Sequence, residues 1–465
     1  MKDWASIIDD YKTDLLTDLE GLLCIPSVKD TASVSTKAPF GKGIQEALDY
    51  MLALGERDGF TVKNLDYYAG HLEIGQGESL LGILSHLDVV PVNPSQWETA
   101  PFTPVIKEGR LYARGALDDK GPTLMAYYAI KILKELGYTF NRRIRLILGT
   151  DEENDWQGVK HYFKHEEMPD FGIVPDGIFP MIYSEKGVVS IDLSSVHQAS
   201  KYLQTFTSGS AYNLVPDQAT AVLEGLPNLR KHFDEFLKYH NLEGKHSLQL
   251  HQQVFTIQGK SAHAAGPSQG INAGVYLNHF LNKLDLDDAA KSFVEFVDNY
   301  FYEDTSAHKL GIDFSDSQLG AVTNNLAMLD FNKGKVRLGL NLRYPASYDF
   351  SFAYSKLAAL AETNGFCTAI ISHKKPSQTD LQAPETELLL NVYREKTGDQ
   401  TLPLAIGGIT YGRVFKRGVT FGPTFLGKPA TLHQPNEYIE LADLFKALEI
   451  YLEALYQLVT VEGQS

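Results

Sequence analysis

At 465 residues, with 43% hydrophobic and 22% charged side chains, the chain has the length for two domains of ordinary size and the makeup of a globular protein. A net charge of -16 argues against nucleic acid, whose phosphates call for clustered Lys and Arg, and no apolar run approaches the roughly 20 residues that a membrane-spanning helix needs. Two cysteines, Cys24 and Cys367, exclude a disulfide framework and any thiolate-rich metal site.

The amino terminus shows no basic segment leading into an apolar core, so the cytoplasm is the expected compartment. It reads instead as a helix: Trp4, Ile8, Tyr11, Leu15, Leu19 and Leu22 recur at three- and four-residue steps until Pro26 stops the pattern. A second helical pattern runs through Ile44, Ala47, Leu48, Met51 and Leu54. The apolar run 80–84 then predicts a buried strand that ends in Ser85-His86-Leu87-Asp88. Strand side chains alternate with period two, so His86 and Asp88 share a face. That pair suits a metal ligand with a carboxylate either orienting it or lying beside the metal, although a solvated His and Asp closing a core strand would look the same.

Next comes Ala113-Arg114-Gly115-Ala116-Leu117-Asp118-Asp119-Lys120-Gly121-Pro122, a turn opening a helix that carries Leu124, Tyr128, Ile132 and Leu136. Asp118 and Asp119 precede the helix amino terminus, where a plain capping acid is equally at home. The strand 143–149 delivers Asp151-Glu152-Glu153. Three acids at one strand end repel each other unless a cation or protons intervene. A third strand, 171–174, ends at Pro175-Asp176. Three apolar strands that each end in acid or His place polar groups at the carboxyl edge of a mostly parallel sheet, where open α/β sheets build their sites. The fourth candidate segment is His433-Gln434-Pro435-Asn436-Glu437.

Between residues 187 and 377 the texture changes to alternating half-exposed strands around 188–193, 219–223, 251–257, 336–342 and 369–372, with helices around 275–284, 293–300 and 352–361. The fold expected is therefore an α/β catalytic domain, a mostly parallel mixed sheet flanked by helices, formed by residues 1–186 and 378–465. An α+β domain, residues 187–377, is inserted into it.

Two His with Asp118, Glu153 and Asp176, leaving Glu152 and Asp88 over, make a nitrogen and oxygen donor set without thiolate. It suits Zn, with Mn or Co as substitutes, and the imidazoles argue against Ca. Five ligands exceed what one catalytic ion with an open position takes. Shared through one carboxylate, they serve two ions. Local sequence leaves Glu152 and Glu153 exchangeable between ligand and proton carrier.

These five ordered segments resemble the signatures of the co-catalytic dizinc peptidase family, which includes aminoacylases, glutamate carboxypeptidases, succinyl-diaminopimelate desuccinylases and carnosinase-like dipeptidases. Within it, residues 113–122 and Glu166-Glu167-Met168-Pro169 are most similar to bacterial Xaa-Xaa dipeptidases. The resemblance implies a zinc-exopeptidase-like catalytic domain with two Zn ions per chain. Asp118 bridges them, His86 and Asp176 complete one site, and Glu153 and His433 complete the other. It further implies that Asp88 orients His86, that Glu152 is the general base for a hydroxide shared by the two cations, and that the Asp118-Asp119 peptide is cis.

For the inserted domain it implies a lid, in which Asn213 and Arg343 bind substrate and His263 stabilises the oxyanion. Gly407-Gly408-Ile409-Thr410-Tyr411-Gly412-Arg413 resembles the loop that receives the substrate's carboxyl end, with Gly408, Thr410 and Arg413 as contacts. Ile409 stands where relatives often have a third glycine, and a β-branched residue resists positive φ. The expected activity is that of a monomeric metallodipeptidase acting on small unblocked dipeptides, without nucleic acid or membrane partners. The alternatives are an amidohydrolase removing N-acyl or succinyl groups and a non-catalytic metal-binding relative.

Overall fold

The apolar run 80–84 forms the strand Leu80–His86, in which every residue is buried. In the computed structural model, which describes residues 2–196, 198–429 and 431–460, this strand lies between Arg143–Gly149 and Phe171–Val174 and runs parallel to both. Gly418–Thr420 extends the parallel centre beside Phe171–Val174. On the other side the sheet turns antiparallel, through Ala69–Ile74 and then Thr61–Leu65. The sheet is thus mixed, with a parallel centre.

Central parallel strands are covered on both faces and so read as continuous apolar runs. Leu81 and Ile83 join one buried cluster and Leu84 another; likewise Leu146 and Leu148 part from Ile147. On the first face Lys120–Glu135 packs against Leu80–His86, with Trp4–Leu23 and Leu441–Val459 against the helix in turn. Trp4–Leu23 starts where Asp3 accepts a hydrogen bond from the Ser6 N–H at 3.1 Å. The opposite face is closed by Gln157–His165. Among the described residues no helix is long and apolar enough to cross a membrane.

Helix Lys120–Glu135 begins two residues before Pro122, which therefore sits in the first turn, where a missing N–H costs nothing. Asp119 occupies the N-cap position without making a side-chain cap bond. Its Oδ2 accepts the His86 N–H instead, at 3.0 Å, so the plain capping role is not what this acid performs.

By contact the chain divides into two units: residues 1–183, 378–404 and 409–465, and residues 184–377 with 405–408. The partition expected from the sequence kept 184–186 and 405–408 with the first unit. They group with the second because the Lys186 N–H donates to the Ile406 carbonyl at 3.0 Å and the Arg343 guanidinium donates to the Gly407 carbonyl at 2.6 Å.

The second unit is an eight-stranded sheet, in the order 243–249, 252–258, 218–224, 203–208, 323–332, 335–344, 187–196 and 367–374. Its pairs are antiparallel, and strands such as Gln218–Glu224 alternate buried and half-exposed residues as one-sided sheets do. Several elements here escape the sequence patterns, among them strands Leu203–Ser208, Glu243–Gln249 and Thr323–Asn332, and helix Arg230–His240. The helix buries only Phe233, Phe236 and Leu237, too narrow a stripe to stand out amid its charges.

Gly121 ties the fold to the loop that precedes it. A Cβ there would lie 2.1 Å from the Ala116 carbonyl oxygen, a backbone atom that cannot rotate away. Gly121→Ala is therefore expected to destabilise the protein by about 2–3 kcal/mol. Urea unfolding of the variant checks this, with retained stability as the contrary result.

Candidate metal centre

Three of the carboxyl-edge residues follow directly from strand ends. His86 is the last residue of Leu80–His86, Glu153 lies four residues after Arg143–Gly149, and Asp176 lies two after Phe171–Val174. Asp118 comes from the loop before Lys120–Glu135. His433 arrives from far along the chain because Tyr438–Glu440 pairs antiparallel with Arg110–Tyr112, setting the two loops side by side. The His433 backbone is left-handed, with φ 62°.

The two imidazoles take different oxygens of one carboxylate. His86 Nε2 lies 3.0 Å from Asp118 Oδ1, and His433 Nε2 lies 2.9 Å from Asp118 Oδ2. His86 Nε2 is also 3.7 Å from Asp176 Oδ2, and His433 Nε2 is 2.9 Å from Glu153 Oε1. Two groups able to hold a metal ion result: His86, Asp118 and Asp176, and Asp118, Glu153 and His433. Donor gaps of this size match the edge of a ligand tetrahedron, roughly 3.4 Å, for bonds of about 2.1 Å. The residues fit a metal pair that shares Asp118. Glu152 belongs to neither group.

Around this nucleus the supporting bonds differ from the simplest expectation for Asp88. His86 Nδ1 meets the Asp88 main-chain carbonyl at 2.8 Å, whereas the carboxylate Oδ1 is 3.5 Å away. A ring held through Nδ1 presents Nε2 outward, as a ligand must. The Asp88 carboxylate instead accepts the N–H groups of Glu152, at 3.0 Å, and Glu153, at 3.1 Å. It thereby fixes the stretch on which both glutamates sit. The Asp118-Asp119 peptide is cis.

Glu437 is a residue that the sequence reading passed over, although it lies in the His433 segment. It is fully buried and accepts bonds from Arg114 Nη1 at 2.5 Å and from the N–H groups of Gly115, Leu117 and Asp118 at 3.2, 2.8 and 3.2 Å. It holds the loop that presents Asp118. Its sequence signal is a carboxylate immediately before a short alternating strand, which marks many surface turns equally well.

Charge crowding shows in the acid–base balance. Burial, with Asp118 adding, pushes the Asp176 carboxyl up to about 7. Burial lifts Glu153 despite the His433 hydrogen bond, and lifts Glu152 well above the carboxylate range despite the pull of His86. Hydrogen bonds to Asp118 and Glu153 carry His433 to about 10. His86 rises too, because Asp118 and Asp88 outweigh its burial. Asp118 alone falls: burial would raise it, but the two imidazoles more than offset that.

The remaining expected residues divide between the units. Asn213, His263, Arg343 and Gly408 lie in the second. There the Ala264 N–H donates to the Asn213 carbonyl at 2.9 Å, and Arg343 Nη2 lies 3.5 Å from His263 Nε2. Arg343 is 3% exposed, and its Nε donates to Asn341 Oδ1 at 3.1 Å. Thr410 and Arg413 lie in the first unit, at the turn Tyr411–Val414. The Thr410 hydroxyl accepts the Gly412 N–H at 3.0 Å and pairs with Thr420 at 2.7 Å, so it fixes the turn. None of Gly407, Gly408 and Ile409 is left-handed; the loop thus follows a path open to a β-branched residue.

The family model described as peptidase family M20/M25/M40 matches residues 82–457. The chain belongs to this family. A Staphylococcus epidermidis protein named "Putative dipeptidase" is 42% identical to this M20 chain over 98% of it and 99% of the relative. Among solved structures, the fold is shared with a yeast dipeptidase from Saccharomyces cerevisiae, at a TM-score of 0.60 and 14% identity over 97% and 98% of the two chains. It is shared also with human carnosine dipeptidase 1, at 0.58 and 13% over 96% of each. The M20 peptidases are metal-dependent, and the two overlapping groups supply this member's candidate ligands.

Two outcomes follow for this M20 peptidase. Asp176 folded at about 7 and unfolded at 3.8 binds its proton more tightly in the folded chain, so its contribution to stability is lost as pH rises between those values. His433, folded at about 10 and unfolded at 6.5, contributes fully below 6.5 and loses that contribution as pH rises towards 10. Both act in the same direction. Chelator-treated protein should therefore melt at lower temperature at pH 8.5 than at pH 5.5, and added metal should restore more at the higher pH. Calorimetry checks this; a metal-free protein more stable at pH 8.5 contradicts it. Separately, Glu437→Ala leaves buried Arg114 without its counter-charge and should cost on the order of 3–5 kcal/mol, with metal content falling in parallel.

Proposed function

We propose that this M20 peptidase is a dinuclear zinc metallodipeptidase of the cytoplasm that hydrolyses unblocked L-dipeptides. The observation that carries the reading is the Asp118 carboxylate, whose two oxygens face two separate imidazoles, each with a further carboxylate beside it. His86 and Asp176 would hold one ion and Glu153 and His433 the other. When bound, the pair supplies Lewis acidity towards the scissile carbonyl and lowers the pKa of water at the site.

The chain's own residues do the rest. Glu152 stands outside both ligand groups, on a backbone stretch fixed by Asp88. From there it takes the proton of the attacking water and delivers it to the leaving amine, as a general base and then an acid. Its buried surroundings raise its affinity for a proton above that of an ordinary carboxylate, in the sense a group that takes and returns a proton requires. In the inserted unit, Arg343 receives the peptide carboxylate, which its planar fork fits bidentately, and Asn213 and Gly408 are assigned as further substrate contacts. His263 hydrogen-bonds the oxyanion. Thr410 and Arg413 shape the loop that follows Gly408. The dipeptidase names of relatives support this substrate class.

The test pairs substrates with one variant. Leu-Leu should be cleaved, while Leu-Leu-Leu and N-acetyl-Leu should not; preference for N-acetyl-Leu would instead identify an amidohydrolase. Glu152→Ala should lower kcat by about 10²–10⁴-fold while leaving metal content intact. Turnover at the wild-type rate would remove Glu152 from the mechanism.

A further inference from the structure

Glu152 sits in no helix or strand, so side chains from elsewhere must fix its backbone. Its N–H is held by Asp88 Oδ1 at 3.0 Å. Its carbonyl accepts a hydrogen bond from the Trp156 indole Nε1 at 2.6 Å. Trp156 itself adopts the left-handed conformation, φ 59° and ψ 29°, which a bulky side chain rarely takes. That conformation folds the indole back over the loop, and the Trp156 N–H closes the loop onto the Asp151 carbonyl at 3.1 Å. The next residue's N–H meets the Asp151 carboxylate at 2.8 Å, starting helix Gln157–His165.

Trp156 is 7% exposed, and its indole packs edge-on against Tyr411, with ring centroids 5.1 Å apart. Tyr411 is fully buried and lies 6.2 Å, ring to ring, from His86. An aromatic wall therefore runs from the ligand His86 to the carbonyl of Glu152. Core packing alone would be served by any large apolar ring. A ring N–H aimed at the one carbonyl adjoining the general base, from a residue in an uncommon backbone conformation, is more than packing requires.

We propose that Trp156 is a positioning residue for Glu152, holding the glutamate's backbone through the indole N–H so that the carboxyl meets the water it deprotonates. The inference rests on the assignment of Glu152 as general base. Asp88 and Trp156 clamp that residue from its two sides. Asp88 also holds the Glu153 N–H, at 3.1 Å, and those Asp88 bonds to both glutamates remain when the indole N–H to the Glu152 carbonyl is lost. Loss of the N–H therefore affects chemistry and spares both metal and substrate binding.

The test compares Trp156→Phe with site-specific replacement of Trp156 by β-(3-benzothienyl)alanine, which keeps the shape of the indole and exchanges N–H for sulfur. Both proteins are assayed on Leu-Leu after metal loading, with metal content and melting temperature recorded. The isosteric replacement should lower kcat about tenfold and leave KM within about twofold, with metal content and melting temperature near wild type. Trp156→Phe should show the same kcat loss, with some loss of melting temperature from the smaller ring. Wild-type kcat in the isosteric protein overturns the proposal and leaves Trp156 as packing only. Loss of metal, or a rise in KM with kcat unchanged, overturns it as well. Should Glu152→Ala retain activity, the general-base assignment itself fails, a result distinct from a silent Trp156 replacement.

Discussion

One carboxylate facing two imidazoles is the constraint around which the first unit is arranged. Asp118 has no regular element of its own; it stands on a loop before a helix, with a histidine against each oxygen. Four further acids, Asp88, Glu152, Glu153 and Asp176, crowd the same edge of the sheet. In water such groups would repel modestly, but burial amplifies the repulsion and raises the proton affinity of Glu152, Glu153 and Asp176. Positive charge has to enter for the cluster to ionise. In the ion-free chain the two imidazoles provide it by holding protons, which is why His86 and His433 rise while Asp118 falls. Metal ions would replace those protons.

Holding a charged cluster in register takes a scaffold that cannot relax. The parallel centre of the sheet fixes His86 and the starts of the segments bearing Glu153 and Asp176. Short-range devices then trim each one: the Asp88 carbonyl on His86, the Asp88 carboxylate on the two glutamates, and Glu437 on the Asp118 loop. Apart from the Asp88 carbonyl, these supports are backbone N–H groups donating to buried carboxylates, bonds that strengthen when the acceptor is charged. They also make the site sensitive, since removing one partner leaves a buried charge unanswered.

Much of this was legible in the sequence. Apolar strand runs that end in His or acid announce the carboxyl edge of a parallel sheet, and five ordered segments carry the family likeness. What could not be read there depends on tertiary placement. Glu437 looks like any surface acid until the loop closes on it. Trp156 looks like a core aromatic until its left-handed backbone turns the indole N–H towards Glu152. Asp88 was visible as a partner for His86, but which of its oxygens does the work follows from the loop path. In the second unit, Thr323–Asn332 and Arg230–His240 were missed because their polar residues interrupt the strand and helix periods. The same polar residues in the first of these, Asn324 and Asn325, are buried in the folded unit.

The central claim is that two cations share Asp118. Anomalous-difference diffraction from zinc-loaded crystals, recorded on both sides of the zinc absorption edge, tests it most directly. The account predicts two peaks about 3.5–4 Å apart, one beside His86 and Asp176 and the other beside Glu153 and His433, with Asp118 between them. A single peak under saturating zinc, or a second peak remote from His433, would contradict it.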